Sequence, residues 1–436
     1  MGGGARNDIE SLILLRPLAV LICGVALATL NRRHIRDHRF LLGFAAALFL
    51  VCLLHLVPLP PSVWTSLPGR EFIVEIERNA QIEGTWRPLS LVPSATWNAL
   101  FSLFVPLGAL LLAVQLSPEQ RERLLPLFLI LGMASGLMGL LQVVGDPEGP
   151  LYLYRVTNSG AAVGFFANRN HQAIFLACLI PMLAVYASRP ASTFEQIRLR
   201  FIVGAAAILV LIPFLLVTGS RAGIILGLLG LVSTPFLYRR PAVEHASRPA
   251  RLGPGVIGAG LLGVAALGML TILFGRAEAF NRLMAVGAGS EDNRSLFWRP
   301  VADMAWQYFP LGSGVGAFED VYKIGEPDSL LSINYLNHAH NDWLEVVMTV
   351  GVPGMILLAA AAVAWAVGTW RAWRGPGGSS SRRSHARLGS VCLLMLGLAS
   401  VGDYPLRAPF LACFGVVLAV WLHDATRAQA RGPAGK

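Results

Sequence analysis

The chain has 436 residues, of which 55% are hydrophobic and 14% charged, and a mean hydropathy of +0.59. A soluble domain carries about 25% charged residues, so the composition excludes a soluble globular protein and defines a polytopic membrane protein. The net charge of +10 would suit a nucleic-acid partner, but the placement of the basic residues along the chain speaks against one.

Apolar runs of roughly 17–25 residues are long enough to cross the hydrocarbon as helices. About eleven (ten to twelve) such runs predict an all-α bundle: near 11–30, 40–58, 97–117, 124–144, 171–188, 201–217, 222–238, 253–274, 350–370, 387–402 and 408–424. The first run has no short basic leader ahead of a small-residue cleavage site, and is expected to remain as a helix. Taken alternately, one set of connecting loops holds 21 lysines and arginines, whereas the other, more than twice as long, holds 13. By the positive-inside rule the basic set is cytoplasmic, so the net charge reports topology and places the N-terminus outside and the C-terminus inside.

The five cysteines all fall in apolar runs without metal-ligand spacing and read as small buried hydrophobes. Trp97, Trp343, Trp370 and Trp421 stand at run ends, where an interfacial aromatic belt is expected. No internal repeat is visible. The Gly/Ser/Arg-rich stretch 375–386 and the tail RAQARGPAGK read as solvated linkers.

The outer loops, near 59–96, 145–170 and Gly275 to about Asp342, carry most of the chemistry. FFANRNH opens the run at 171 and places Asn168, Arg169, Asn170 and His171 at a helix start. Taken by itself it is equally a helix cap. VTGSRAG places Arg221 in a turn of about four residues between two apolar runs. An unpaired guanidinium there is costly, and the free N–H groups of the helix that follows make Ser220, Arg221 and that terminus an anion site; snorkelling to the interface is the plainer alternative. Gly223 and Gly227 form a small-xxx-small step suited to helix packing.

DNRSLFWRPVADMAWQYFPLGSGVG has apolar residues at near-helical spacing, a possible cap at Asp292 or Asn293, and Pro310 with Gly312 as a stop. It predicts an amphipathic helix with Arg294 and Arg299 near its start. Trp298 and Trp306 would anchor it along the membrane boundary, or it packs on the core of its own loop. The glycines 312–316 follow a helix rather than a strand and read as a turn, not a phosphate loop.

In LNHAHNDWLEVVMTVGVPG, His338, His340 and Asp342 lack the spacing of a catalytic zinc site, and no cysteine or third histidine is expected nearby on the outer side. No metal and no cofactor is expected. A neutral imidazole suits general-base work, with Asp342 either holding its tautomer or capping the helix. GDYPLRAP is a short outer turn in which Asp403 and Arg407 could form an internal ion pair. Arginines, helix N-termini and one base on the outer face can hold a diphosphate and activate a hydroxyl, a combination suited to glycosyl transfer from a lipid diphosphate.

Over roughly 150–410 these segments, in this order, resemble the O-antigen ligase and O-antigen polymerase superfamily of bacterial membrane glycosyltransferases. The resemblance rests on FFANRNHQA, TGSRAG, DNRSLFWRPVADMAWQYFPLGSGVGAF, HAHNDWLEVVMTVGVPG and DYPLR, and on the spacing of His340, Asn341, Gly351 and Gly354. It implies a class C type glycosyltransferase membrane fold with a large periplasmic loop, in the bacterial inner membrane with its active site facing the periplasm. It further implies metal-independent, inverting transfer of a glycan from undecaprenyl diphosphate to lipid A core or another glycan acceptor. Carried over by motif position, His340 is the catalytic base. Arg221, Arg294, Arg169, His338, Asn341 and Arg407 are the substrate-binding candidates. The chain divides into 1–150, N-terminal helices with a periplasmic loop; 151–410, the ligase-like region including loop 275–342; and 411–436, the end of the last helix and a cytoplasmic tail. Nothing before about residue 95 carries a motif. A ligase is favoured over a polymerase by the His-Asn spacing. A polyisoprenyl-glycan transporter would need polar residues near the midplane and repeated halves, and a structural subunit would leave the outer arginines and His340 unexplained.

Overall fold

The computed structural model of the chain describes residues 2–6, 8–241, 294–331, 335–374 and 380–430. The bundle runs through α1 (Leu12–Thr29), α2 (Arg39–His55), α3 (Pro93–Ser102) continuing into α4 (Phe104–Gln115), α5 (Leu124–Val144), α6 (Arg169–Ala187), α7 (Phe194–Val217) and α8 (Arg221–Leu237). Three helices, α9 (Arg294–Gln307), α10 (Phe318–Gly325) and α11 (Asp342–Val350), then precede α12 (Val352–Arg374), α13 (Ser380–Ala399) and α14 (Pro409–Ala430). Six helical stretches among the described residues are long and apolar enough to cross a membrane, namely α1, α3 with α4, Pro118–Val144, α6, α7 and α12; α2, α8 and Pro409–Asp424 are shorter apolar helices. The protein is a polytopic membrane protein, all-helical among the described residues apart from a two-residue antiparallel pair, β1 (Pro58–Leu59) with β2 (Arg87–Pro88).

Ten of the eleven expected runs coincide with helices, and the run at 253–274 lies outside the described residues. Two sequence expectations are corrected. Stretch 375–386 is not a linker throughout, because α13 starts at Ser380 and is tied down where Ser381 Oγ donates to Glu122 at 2.5 Å. Trp421 is no belt residue: it is 2% exposed, packed on Phe128 and His385, and donates to the Arg121 carbonyl. Trp97 and Trp370 are exposed at 47% and 59%, as a belt requires.

The middle of the bundle is α6. From Ala173 to Val185 it is apolar on every side, so it presents no polar face to solvent and is enclosed by α5, α7, α8 and α13. Glycines allow the close approach. A Cβ on Gly223 would lie 2.4 Å from Ala173 Cβ, and one on Gly132 2.2 Å from Leu179, which is how small residues substitute for hydrophobic driving force between helices in lipid. By contrast α12 leaves Ile356 and Val363 each 62% exposed, a lipid-facing surface.

The ends of the bundle separate chemically. At one end Arg121 meets Asp424, Arg382 meets Glu119 and the His423 ring meets the Asp37 carbonyl. At the other end stand the first residues of α6, α8 and α11, the extramembrane helices and the turn before α14. There α9 buries Val301, Met304 and Ala305 against Phe318, Tyr322 and Met348, so the helix packs on its own loop, with Trp306 outward at 79% exposure. Its proposed cap at Asp292 or Asn293 lies outside the described residues. The glycine run is a turn through a narrow gap: Gly314 has φ +125°, and a Cβ there would lie 2.2 Å from Ser90 Oγ.

Candidate functional site

Three helices begin here on side-chain caps. Asn168 accepts from the Asn170 N–H at 2.8 Å, Ser220 from Gly223 at 3.1 Å and Asn341 from Leu344 at 3.1 Å. Each cap stops the helix at a defined residue and leaves its positive dipole end directed at this end of the bundle. The loop ahead of α6 is fixed by Gln142, which accepts from Val163 and Gly164 and donates to the carbonyls of Leu151 and Gly164. Asn341, a substrate-binding candidate from sequence, is thus the cap of α11, and Asp342 is freed for another task.

That task is an ionic network. Arg407 Nε donates to Asp342 Oδ1 at 2.8 Å, and its Nη2 is ion-paired with Glu345 Oε1 at 2.9 Å. Glu345, 1% exposed, also lies 3.1 Å from His338 Nδ1 and accepts from the Ala339 N–H at 2.9 Å. Burial alone would raise the Glu345 carboxyl, but the charge of Arg407, then His338 and the Ala339 N–H, override it and hold the group at about 2. Asp342 moves the opposite way: burial outweighs Arg407 and pushes it up. Burial lowers Arg407, but the Glu345 and Asp342 charges raise it further.

Asp403 is not turned to an ion pair within its own loop. It is 2% exposed, accepts from Asn170 Nδ2 at 2.7 Å and from the Tyr404 N–H at 2.9 Å, and its Oδ1 stands 3.7 Å from His171 Nε2 and 3.8 Å from His340 Nδ1. Tyr404 is the hub, with its ring centroid 4.4 Å from His338, 5.0 Å from His340 and 5.4 Å from His171. His340 adopts φ +48°, a left-handed conformation for a non-glycine residue that turns its side chain in just before the Asn341 cap.

The expectation that no third histidine is near is therefore overturned: α6 delivers His171 to the group. The carboxylate beside His340 is Asp403, not Asp342. Among the described residues no three His, Cys, Asp or Glu side chains group as metal ligands. Glu345, Asp403, Tyr404 and His171 were missed as a set because they come from three segments far apart in sequence. Glu345, three residues beyond Asp342, was the one local signal.

Arg169 and Arg221 are half-buried first residues of α6 and α8. The close approach of Gly223 to Ala173, two residues beyond His171, brings the start of α8 alongside that of α6. Arg294 opens α9, and its side chain lies outside the described residues. A cavity of about 340 Å3 adjoins the network, and His338 and Arg407 form part of its wall.

Helices long and apolar enough to cross a membrane, with a polar, charged group gathered at one end of them, define a multi-pass membrane protein. Residues 205–359, about a third of the chain, match the family model described as O-antigen ligase (Wzy_C). That family comprises ligases and polymerases that transfer glycans in surface-polysaccharide biosynthesis. A comparison with curated proteins finds no match. The matched segment includes Arg221, His338, His340 and Glu345, whereas His171, Asp403, Tyr404 and Arg407 reach the site from outside it.

Proposed function

We propose that the protein is a ligase-type glycosyltransferase, moving a glycan from undecaprenyl diphosphate to an acceptor hydroxyl at the periplasmic face of the inner membrane. The supporting observation is the grouping of His340 with Asp403 beside the starts of α6 and α8, which carry Arg169 and Arg221. His340 takes the acceptor hydroxyl proton as the oxygen attacks the anomeric carbon. The bond from that carbon to the diphosphate oxygen breaks, and the electron pair leaves with the diphosphate. Attack opposite the leaving group inverts the anomeric centre. The Asp403 carboxylate stabilises the imidazolium that forms, and Arg221, Arg169 and the two helix starts offset the charge on the departing diphosphate. Arginines take the place that a divalent cation otherwise fills. The bundle is read as a class C type glycosyltransferase fold of about eleven spans.

The test is a reaction of purified protein with an undecaprenyl-diphosphate oligosaccharide in EDTA, with lipid A core and a second lipid-linked glycan offered separately. Product on lipid A core is expected. A ladder of lengthened lipid-linked glycan would make the protein a polymerase, and loss of activity restored by Mg2+ would refute metal independence. Donor binding without any product would move transport to the front.

A further inference from the structure

Arg16 lies on α1, a membrane-crossing helix where a guanidinium is costly and usually has an anionic partner. Its Nη2 donates to Ser102 Oγ at 2.8 Å, its Nε makes no hydrogen bond, and among the described residues no carboxylate stands within ion-pair distance. Ser102 closes α3 roughly 14 Å in from Pro93 at about 1.5 Å per residue. The arginine is therefore held towards the neighbouring span instead of being lifted to the surface.

Arg16 lines the 340 Å3 cavity. Leu48 and Val51 of α2, Leu103 and Pro106 at the α3–α4 join, and Leu357 and Leu358 of α12 give it an apolar wall, with His338 and Arg407 at its polar side. The other arginines there are already offset. Arg407 is held by Asp342 and Glu345, and Arg6 is clasped by both oxygens of Asp8 at 2.9 Å. The cavity thus combines an alkyl-lined chamber with one guanidinium whose charge nothing in its wall balances. Water or a neutral lipid tail would leave that charge uncompensated, whereas a phosphate carried on a chain satisfies both parts.

We propose that this cavity binds a lipid-borne phosphate, with its chain between α2, α4 and α12 and its phosphate on Arg16. Resting on the glycosyl-transfer reading, this lipid is the acceptor, which enters on the His338 side of Tyr404. The donor diphosphate meets Arg221 and Arg169 on the His171 side. The segment before residue 95, which carries no motif, would then build the acceptor site.

The experiment uses purified full-length protein in detergent and measures binding of farnesyl phosphate and farnesol by native mass spectrometry and thermal shift. Farnesyl phosphate is expected to bind about ten- to a hundredfold more tightly than farnesol, the range for a hydrogen bond to a charged group. Arg16→Gln should abolish that difference and Arg16→Lys keep part of it. Ala412→Phe, which fills the cavity and leaves Arg16 in place, should weaken both ligands. Equal binding of the two ligands by the wild type, or unchanged farnesyl phosphate binding in Arg16→Gln, would overturn the proposal. So would competition by inorganic phosphate at the same concentration as farnesyl phosphate. No arm involves sugar transfer, so failure of the acceptor site and failure of the transferase reading give separate results.

Discussion

At the basic end of the bundle Arg121 is 3% exposed, donates Nε and Nη2 to the carbonyls of Ala113 and Val114, and meets a single carboxylate, Asp424. At the other end Arg407 keeps 27% of its side chain exposed, meets two carboxylates, and lies on a cavity wall with a histidine hydrogen-bonded to one of those carboxylates. Both arginines are bound, but the first closes off helix-end carbonyls that would otherwise lack donors. The second sits between two carboxylates, Asp342 and Glu345, and its charge favours the ionised form of both. The same pair of side-chain types therefore serves as a brace in one place and as a charge-setting element in the other, and the neighbours decide which.

The largest expected effect tests whether the acid-rich end is chemical at all. His340→Ala should leave expression and thermal stability near wild type while transfer falls about 10²–10⁴-fold, the range for a general base; activity within twofold of wild type in the lipid-linked donor assay would discard the base assignment. Arg407→Met and Arg121→Met come next. Each takes the guanidinium from a largely buried carboxylate and should cost up to about 3–5 kcal/mol, read from detergent melts. The comparison sharpens in the surviving folded fraction: Arg407→Met should also lose turnover per molecule, whereas Arg121→Met should keep it. Equal specific activities in the two variants would collapse the distinction between the ends.

Arg221→Lys replaces a planar fork with a point charge. Donor affinity should fall about tenfold, as for loss of one charge-assisted hydrogen bond, and an unchanged Kd for the diphosphate lipid would argue against bidentate contact. The smallest effect is a pH dependence. Glu345 lies at about 2 against an ordinary 4.5, so its stabilisation is complete above about 4.5 and is lost as pH falls through 2. Glu345→Gln should be less stable than wild type at neutral pH, with the gap closing across that window. A gap that stays constant from pH 6 to pH 3 by circular dichroism would mean that Glu345 acts by shape and not by charge.

The positions of the helices were legible because span length is fixed by membrane thickness, and ten runs reappear as helices, two of them (Phe194–Val217 and Ser380–Ala399) starting seven residues earlier than the run. The candidate residues His338, His340 and Arg407 were legible as polar residues set against apolar runs, where polarity has a cost. Trp421 was misread because burial of an aromatic ring at a run end depends on which neighbours arrive, here Phe128 and His385. The pairing of Asp403 with Asn170, His171 and His340 was not legible either, since these residues lie 233, 232 and 63 positions away from it.

By itself the sequence determined that the chain crosses a membrane many times, which loops carry the positive charge, and that the residues from Asn168 open a helix, because hydropathy, charge and capping are local properties, whereas the caps on Ser220 and Asn341 came from the structure. Only the tertiary structure decided which acid faces which base, that Tyr404 sits between three histidines, and that Arg16 opens into the same cavity as His338. Those relations depend on how α6 is enclosed and how closely glycines let its neighbours approach, and packing of that kind is a property of pairs of distant segments that no single stretch of chain encodes.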